Sequence, residues 1–244
     1  MTLTGSLLSM RWRDVLFASW PVAPTAIRPQ LPDGLDPDTF EGDAYLSVVA
    51  FVMEDIRPRG SPVGLTFPEL NLRTYVTHED GPGIYFFNLD ADDRVGVSIA
   101  RRAFGLPYYT AEMSVSERDE GFRFRSQRTD SNAPRADFDA TYAPTGEHSR
   151  PEPGTLEHFL TERYRFYTPV FGRLFRGDIQ HDPWQIAPAT ASFEANGLFD
   201  ANGVAPPTSD PHCLYSQGID VAAGRIRRAT ESDEEPGIVS GARV

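Results

Sequence analysis

Strand-length apolar segments separated by proline and glycine constrain the fold of this chain more than any other feature. The chain has 244 residues with 21 prolines and 20 glycines, which interrupt regular structure and keep its elements short. Segments of β character recur between these residues. They are WRDVLFASW (12–20), DAYLSVVAFVME (43–54), PELNLRTYV (68–76), GIYFFNLD (83–90), YYTAEMSVSE (108–117), GFRFRSQR (121–128), a short stretch near 138–142 and a return to β at 179–195. The pattern predicts an α+β protein that is mostly antiparallel β, not a βαβ alternation.

Side-chain alternation within three of these segments predicts how they face their neighbours. In 12–20, alternation places Trp12 on the same face as Leu16 and opposite Phe17. The segment 43–54 is apolar on both faces, which is typical of a buried strand. The segments 68–76 and 83–90 flank a Gly-Pro-Gly turn and are predicted to form a hairpin.

Two segments have helical spacing. TLEHFLTERYRFY (155–167) has an apolar stripe along one side, and Thr155 suits its N-cap. DDRVGVSIARRAFG (92–105) has an aspartate to cap its start and Gly105 to end it. Residues 1–228 are predicted to form a single domain, and the polar, acidic segment 229–244 is predicted to be a disordered tail.

Composition argues against several classes of function. A net charge of -12 disfavours binding to nucleic acid. No stretch approaches the ~20 apolar residues of a membrane span, and the N-terminus lacks a signal-peptide pattern. The single cysteine, Cys213, agrees with a reducing compartment. We therefore expect a cytoplasmic protein without nucleic-acid or membrane partners, and a homo-oligomer stays open.

The basic residues are unusual, because all 23 of them are arginine and the chain contains no lysine. An acid-rich, lysine-free composition suggests a salt-adapted, halophilic source. The absence of lysine also removes the side chain that forms imines with carbonyl compounds.

A polar row within the segment 68–76 is the strongest candidate for chemistry. Glu69, Asn71, Arg73 and Tyr75 alternate with apolar residues and share one face of a strand. Two interpretations stay open at this point. The row faces water on an amphipathic strand, or it lines the inside of a closed barrel, where Arg73 would hold an anion and Glu69 would transfer a proton.

Four further residues are candidates for ligand binding, and each also has a structural explanation. They are Arg102, Tyr108, Tyr109 and His181. The two tyrosines point in opposite directions along a strand, so at most one faces a cavity. Arg102 lies near the end of a predicted helix, where the helix dipole favours cations. His181 lies in HDPWQI and is explained equally well by a structural role.

The sequence predicts no metal ion and no cofactor. The histidines at 78, 148, 158, 181 and 212 lack the close spacing of a metal site. The glycine-rich patterns of nucleotide-binding loops and the Gly-x-Ser-x-Gly pattern of hydrolases are absent.

Seven motifs in order resemble the YqjF-like family, a domain-of-unknown-function family. They are WRDVLFASWPV, FEGDAYLSVVAF, PELNLRTYV, GIYFFNLDA, ARRAFGLPYYTAEM, FLTERYRFY and HDPW. That family is placed in the acetoacetate-decarboxylase-like superfamily. The resemblance implies a β-rich cone or barrel around a central cavity, with a few helices outside. It favours the inward-facing interpretation of the Glu69 row.

The resemblance also implies that the decarboxylase nucleophile is missing. Acetoacetate decarboxylases carry a Gly-x-Pro-Lys-Lys segment whose first lysine forms a Schiff base. The corresponding stretch here is Gly105-Leu106-Pro107-Tyr108-Tyr109. Tyrosine cannot form an imine, and the N-terminal amine is the only primary amine left. A Schiff-base decarboxylase is therefore not expected.

Three hypotheses about function follow. The first is a protein that binds a small anionic or oxo compound. The second is a lyase, hydratase or hydrolase that uses no imine, with Glu69 as the acid or base and Arg73 as the anion clamp. The third is a structural or interaction protein whose barrel is filled by side chains. A cavity near Arg73 would favour the first two, and a raised pKa of Glu69 beside Arg73 would favour the enzyme.

Overall fold

The structure is a computed structural model that describes residues 6–93, 97, 101 and 104–230. Its strands are β1 (Leu8–Val22), β2 (Asp36–Pro37), β3 (Ala44–Pro58), β4 (Leu65–Thr77), β5 (Gly83–Ala91), β6 (Tyr108–Arg118), β7 (Gly121–Arg128), β8 (Asp137–Pro144), β9 (Arg165–Val170), β10 (Arg173–His181), β11 (Ala187–Asn196), β12 (His212–Ala223) and β13 (Arg227–Arg228). The helices are α1 (Pro24–Ile27), α2 (Leu156–Thr161) and α3 (Leu198–Ala201), and Arg28–Gln30 forms a 3₁₀ turn.

The strands form one sheet that closes on itself twice. Strands β12, β1, β3, β4 and β5 form a shared wall. On one side, β6, β7, β8 and β11 complete a nine-stranded barrel. On the other side, β9 and β10 join β5 to β12 and complete a ring of seven strands. Strand β5 pairs in parallel with β6 and β9, and the other pairs are antiparallel. The predicted mostly antiparallel β fold with few helices is confirmed.

The shared wall is buried on both faces, which explains the continuous apolar character of β3. Leu46 and Val48 face the nine-stranded barrel and pack in its core. Val49 and Phe51 face the seven-stranded ring. Alternate side chains of a strand point to opposite faces, so a strand between two interiors needs apolar residues at almost every position.

A β-bulge in β1 changes the faces predicted for that strand. Asp14 has a positive φ of 55°, and the pairing of β1 with β3 shifts register between Arg13 and Leu16. The additional residue reverses the alternation. Trp12 therefore packs with Phe17 on the side of the seven-stranded ring, and the prediction that Trp12 shares a face with Leu16 is wrong.

The helix predicted over 155–167 is only partly correct. Thr155 is its N-cap, and the hydroxyl of Thr155 accepts a hydrogen bond from the backbone N–H of His158 at 3.3 Å. The helix ends at Thr161, and residues 165–170 form β9. There Phe166 pairs with Ile84 of β5. Pairing with two neighbouring strands outweighs the helical spacing, and aromatic residues suit strands. No element was predicted at 212–223, which forms β12.

Two other predictions fall partly outside the described residues. In the segment 92–105, Val97, Arg101 and Phe104 are helical, and the remainder of 94–103 lies outside the description. Of the predicted tail 229–244, only residues 229 and 230 are described. Ala229 is buried, and Thr230 bonds to Asp80 at the β4–β5 turn. Within the part of the chain that the structure describes, no helix has both the length and the apolar character to span a membrane.

Candidate functional site

The seven-stranded ring encloses a cavity of about 220 Å³. Its wall is mostly apolar, and its polar side chains come mainly from β4. Along β4 the cavity runs from exposed Leu65 to buried Arg73. Val63, which is 72% exposed, lies at the same open end. Because a strand advances ~3.3 Å per residue, Arg73 lies about 26 Å along the strand from Leu65. The ring is therefore hollow, unlike the filled barrel of the third hypothesis.

Arg73 lies at the closed end of the cavity. Its Nη2 donates a hydrogen bond to the backbone carbonyl of Leu160 in α2 at 3.1 Å. Its guanidinium lies 5.5 Å from the ring centre of Phe17 and 5.7 Å from that of Tyr75. Among the described residues, no carboxylate pairs with Arg73, and its buried Nε has no acceptor. A buried cation without a counter-ion is costly, so this end of the cavity is suited to an anion.

Tyr75 lies behind the cavity and supports Arg73. It is fully buried, and its hydroxyl bonds to the same Leu160 carbonyl at 2.9 Å and to Ser47 at 2.8 Å. Phe159 packs on its ring at 5.0 Å. Tyr75 is not part of the cavity wall. Its position indicates a supporting role instead of the ligand contact predicted for it.

Asn71 lies between Glu69 and Arg73 on the same face of β4. It lines the cavity and is 3% exposed. Its buried Oδ1 has no hydrogen-bond donor among the described residues. Since buried polar atoms normally have partners, Asn71 and Arg73 together present an unsatisfied acceptor and an unsatisfied donor to a molecule in the cavity.

Glu69 forms a hydrogen-bonded pair with Tyr108. The Tyr108 hydroxyl donates to Oε2 of Glu69 at 2.9 Å. Burial raises the pKa of Glu69 from 4.5 to about 7, hydrogen bonds from Tyr108 and Asn71 lower it, and the charge of Asp90 raises it. Burial and the Glu69 carboxylate raise the pKa of Tyr108. At neutral pH Glu69 therefore exists in both protonation states, which suits an acid or base.

Glu69 and Arg73 are not adjacent. They are four residues apart on one strand, which separates their backbones by about 13 Å. Arg73 is not among the causes of the pKa shift of Glu69. The raised pKa that would favour an enzyme is present, but the expected proximity to Arg73 is not.

The two adjacent tyrosines face opposite sides of β6. Tyr108 lines the cavity. Tyr109 faces the other way, with its ring 4.5 Å from the guanidinium of Arg128 and 5.7 Å from that of Arg101. Arg128 in turn forms a buried ion pair with Asp90 at 2.9 Å. Tyr109 therefore packs in the nine-stranded barrel and does not contact the cavity.

His181 and Arg102 do not join this site. His181 stacks on Tyr164 at 4.5 Å, and its Nδ1 bonds to the Asp182 carbonyl at 2.8 Å. It lies outside the cavity wall, in agreement with its structural explanation. Arg102 lies outside the described residues. No group of three or more histidine, cysteine, aspartate or glutamate side chains within the described residues could hold a metal ion.

Most of the cavity wall consists of residues that the sequence patterns did not single out. They are Trp12, Phe51, Met53, Phe67, Leu106 and Phe166, among others. Alternation in β3 groups Phe51 with Met53, but it does not distinguish a cavity face from a packed one. Trp12 was assigned to the wrong face because of the bulge. Its buried Nε1 also has no hydrogen-bond acceptor among the described residues.

Comparison with known proteins identifies relatives over nearly the whole chain. The model of the DUF2071 family, described as an uncharacterized conserved protein, matches residues 9–220. The uncharacterized protein YqjF of Bacillus subtilis (strain 168) is 40% identical over 225 residues, which cover 91% of this chain and 92% of that protein. The resemblance to the YqjF-like family is therefore confirmed.

Solved structures share the fold at low sequence identity. The enduracididine biosynthesis enzyme MppR, complexed with pyruvate, aligns with a TM-score of 0.65 at 17% identity, covering 93% of this chain and 91% of that one. Acetoacetate decarboxylase from Legionella pneumophila aligns with a TM-score of 0.65 at 10% identity, covering 93% and 89%. At these identities the similarity shows the acetoacetate-decarboxylase-like fold alone.

Proposed function

Since this chain belongs to the DUF2071 family and has an acetoacetate-decarboxylase-like fold, we propose that it binds a small anionic or oxo compound in the seven-stranded ring. Arg73 would hold the anionic group at the closed end, and Asn71 would bond to an adjacent hydroxyl or protonated group. Tyr108 and Glu69 would contact the part of the ligand nearer the opening.

The observation that carries this proposal is that the charge of Arg73 has no counter-ion among the residues that the structure describes. Elsewhere in the core, Arg128 pairs with Asp90 at 2.9 Å and Arg163 pairs with Asp38 at 2.6 Å. Arg73 is equally buried, and it has one carbonyl and two aromatic rings around it. An arriving carboxylate would supply the missing counter-ion in a site screened from water, where a charge-assisted bidentate hydrogen bond is strong.

The chemistry of the ligand is limited by the absence of lysine. No lysine imine can form on a chain that has no lysine. A carbonyl compound in this cavity would therefore be held by hydrogen bonds and charge. The pyruvate complex of MppR supports small 2-oxo acids as the first compounds to test.

A thermal-shift screen with pyruvate, longer 2-oxo acids, 2-hydroxy acids and acyl compounds tests the proposal. A ligand at 100 times its Kd stabilises the folded state by about 2.7 kcal/mol. For a chain of this size, that raises Tm by about 5 °C or more. Arg73→Met keeps an apolar stem and removes the charge, so it should abolish the shift. Arg125→Met, which removes an exposed arginine on β7, should keep it. A shift that survives Arg73→Met would contradict the proposal.

A second candidate function is proton-transfer catalysis by Glu69, in a lyase, hydratase or hydrolase without an imine. The observation in its favour is a cavity-lining carboxyl whose pKa is about 7. Compounds that shift Tm would be incubated with the protein and followed by NMR. Catalysis predicts that Glu69→Gln stops conversion and leaves binding intact. Binding without any conversion by the unaltered protein would reject the enzyme and leave the binding function.

A further inference from the structure

The shape and lining of the cavity indicate the chemical class of the ligand in addition to its charge. Beyond Asn71 the wall carries the hydrogen-bonded pair of Glu69 and Tyr108. The remainder is mainly apolar, with Phe51 and Met53 from β3 and Phe67 from β4. This apolar channel continues to the open end, where Val63 is 72% exposed and Leu65 is 36% exposed. A ligand as small as pyruvate would cover Arg73 and leave most of this apolar surface uncovered.

We infer that the ligand is an amphipathic monocarboxylate, with its carboxylate on Arg73 and an unbranched apolar chain directed along the channel towards Val63. This inference rests on the proposed function and adds the chemical class of the ligand. The cavity runs about 26 Å along β4 from Arg73 to Leu65. Each carbon of an extended alkyl chain adds less than the ~1.5 Å of one C–C bond, so the cavity has the length for a long chain, on the order of 16 carbons.

The charges at the two ends of the cavity determine the orientation. Arg57 also lines the cavity, at its open end, and lies 3.4 Å from the carboxylate of Asp55. Arg73 has no such partner among the described residues. The carboxylate gains more at Arg73, because that charge is both unpaired and buried. An apolar tail also suits the exposed apolar rim, where Val63 and Leu65 would be covered by the end of a longer chain.

The test is calorimetric titration with straight-chain carboxylates from butanoate to hexadecanoate. Burial of each methylene should lower Kd about fourfold. The gain should continue beyond ten carbons and level off on the order of 16 carbons, where the chain reaches Leu65 and solvent. Neutral 1-octanol, which lacks the charge, should bind much more weakly than octanoate.

Three variants locate the two ends of the ligand. Arg73→Met should remove binding across the series, and Arg57→Met, its matched control at the open end, should keep it. Leu65→Asp should weaken hexadecanoate, whose tail reaches the opening, at least fivefold and leave butanoate unchanged. Leu65→Asp changes an exposed residue and leaves Arg73 in place. Melting curves of each variant establish that it is folded.

The outcomes separate this inference from the proposed function. If 2-oxo acids bind through Arg73 but chain length has no effect, the apolar-tail inference is wrong and the proposed function stands. If affinity rises with chain length but requires Arg57 instead of Arg73, the orientation is reversed and both are wrong. If neither carboxylates nor 2-oxo acids bind, both are likewise rejected.

Discussion

The buried carboxyl of Glu69 should make the stability of this protein depend on pH in a way that one substitution removes. Its pKa rises from 4.5 in the unfolded chain to about 7 in the folded protein. Each pKa unit corresponds to about 1.4 kcal/mol. Ionising Glu69 therefore costs the folded state about 3 kcal/mol. Glu69 is only 2% exposed, so solvent does little to reduce this cost.

The sign of the effect follows from the direction of the shift. The folded state holds the proton of Glu69 more tightly than the unfolded state does. The stability that protonated Glu69 contributes to the folded state is therefore fully present below pH 4.5. It decreases between pH 4.5 and about 7 and is constant above that range. Glu69→Gln has no such proton. The free energy of unfolding of Glu69→Gln, relative to that of the unaltered protein, should therefore increase by about 2 kcal/mol between pH 5.5 and 8.5. The rest of the difference develops below pH 5.5.

Chemical denaturation of both proteins across pH 5.5–8.5 measures this difference and stays above the isoelectric point near 4.8. In thermal melts the same difference corresponds to about 4–8 °C for a chain of this length. Glu117→Gln removes a charge from the exposed end of β6 and controls for net charge. Parallel pH profiles for the unaltered protein and Glu69→Gln would refute the argument, because they would mean that water reaches the carboxylate.

Two further predictions concern buried arginines and the missing nucleophile. Arg73→Met should leave stability unchanged or raise it by about 1–3 kcal/mol, because it removes a buried charge that has no counter-ion among the described residues. Arg128→Met should lower stability by about 3–5 kcal/mol, because it leaves Asp90 buried without its partner. Urea denaturation compares the two, and equal losses would mean that Arg73 is satisfied within the protein. Tyr108→Lys, combined with Glu69→Gln so that no carboxylate stabilises the protonated amine, places an amine in the cavity, where burial lowers its pKa and makes it nucleophilic. Borohydride in the presence of pyruvate should then add one covalent adduct, seen by mass spectrometry. All three proteins share the N-terminal amine, so peptide mapping counts only adducts at other positions. The unaltered chain and Tyr109→Lys, whose amine lies outside the cavity, should carry none there, and equal labelling of both lysine variants would contradict the cavity-facing position of Tyr108.

Much of the fold follows from local sequence patterns. Alternation of polar and apolar residues located β4 and placed Glu69, Asn71 and Arg73 on one face. Continuous apolar character identified β3 as buried, and the Gly-Pro-Gly turn located the β4–β5 hairpin. Each of these features depends on the geometry of one strand or one turn, which neighbouring residues determine.

Other features were inaccessible to local patterns because distant residues produce them. The helix capped by Thr155 ends at Thr161 because Phe166, in the strand that follows, pairs with Ile84 of β5, which lies 82 positions earlier. The bulge at Asp14 moves Trp12 to the opposite face of β1 from the one that alternation predicts. The local pattern of polar and apolar residues does not predict this bulge. Tyr75 belongs to the polar row by alternation, yet α2 covers it and removes it from the cavity.

The sequence by itself determined the strand pattern, the shared face of the polar row, the family and the absence of an imine-forming lysine. The tertiary structure alone decided that this face encloses a cavity, that Arg73 has no counter-ion among the described residues, and that the pKa of Glu69 is near 7. The physical reason is that alternation is a property of the backbone of one strand. Burial, charge pairing and desolvation depend on all the residues that surround a side chain. Only closure of the ring brings those residues together.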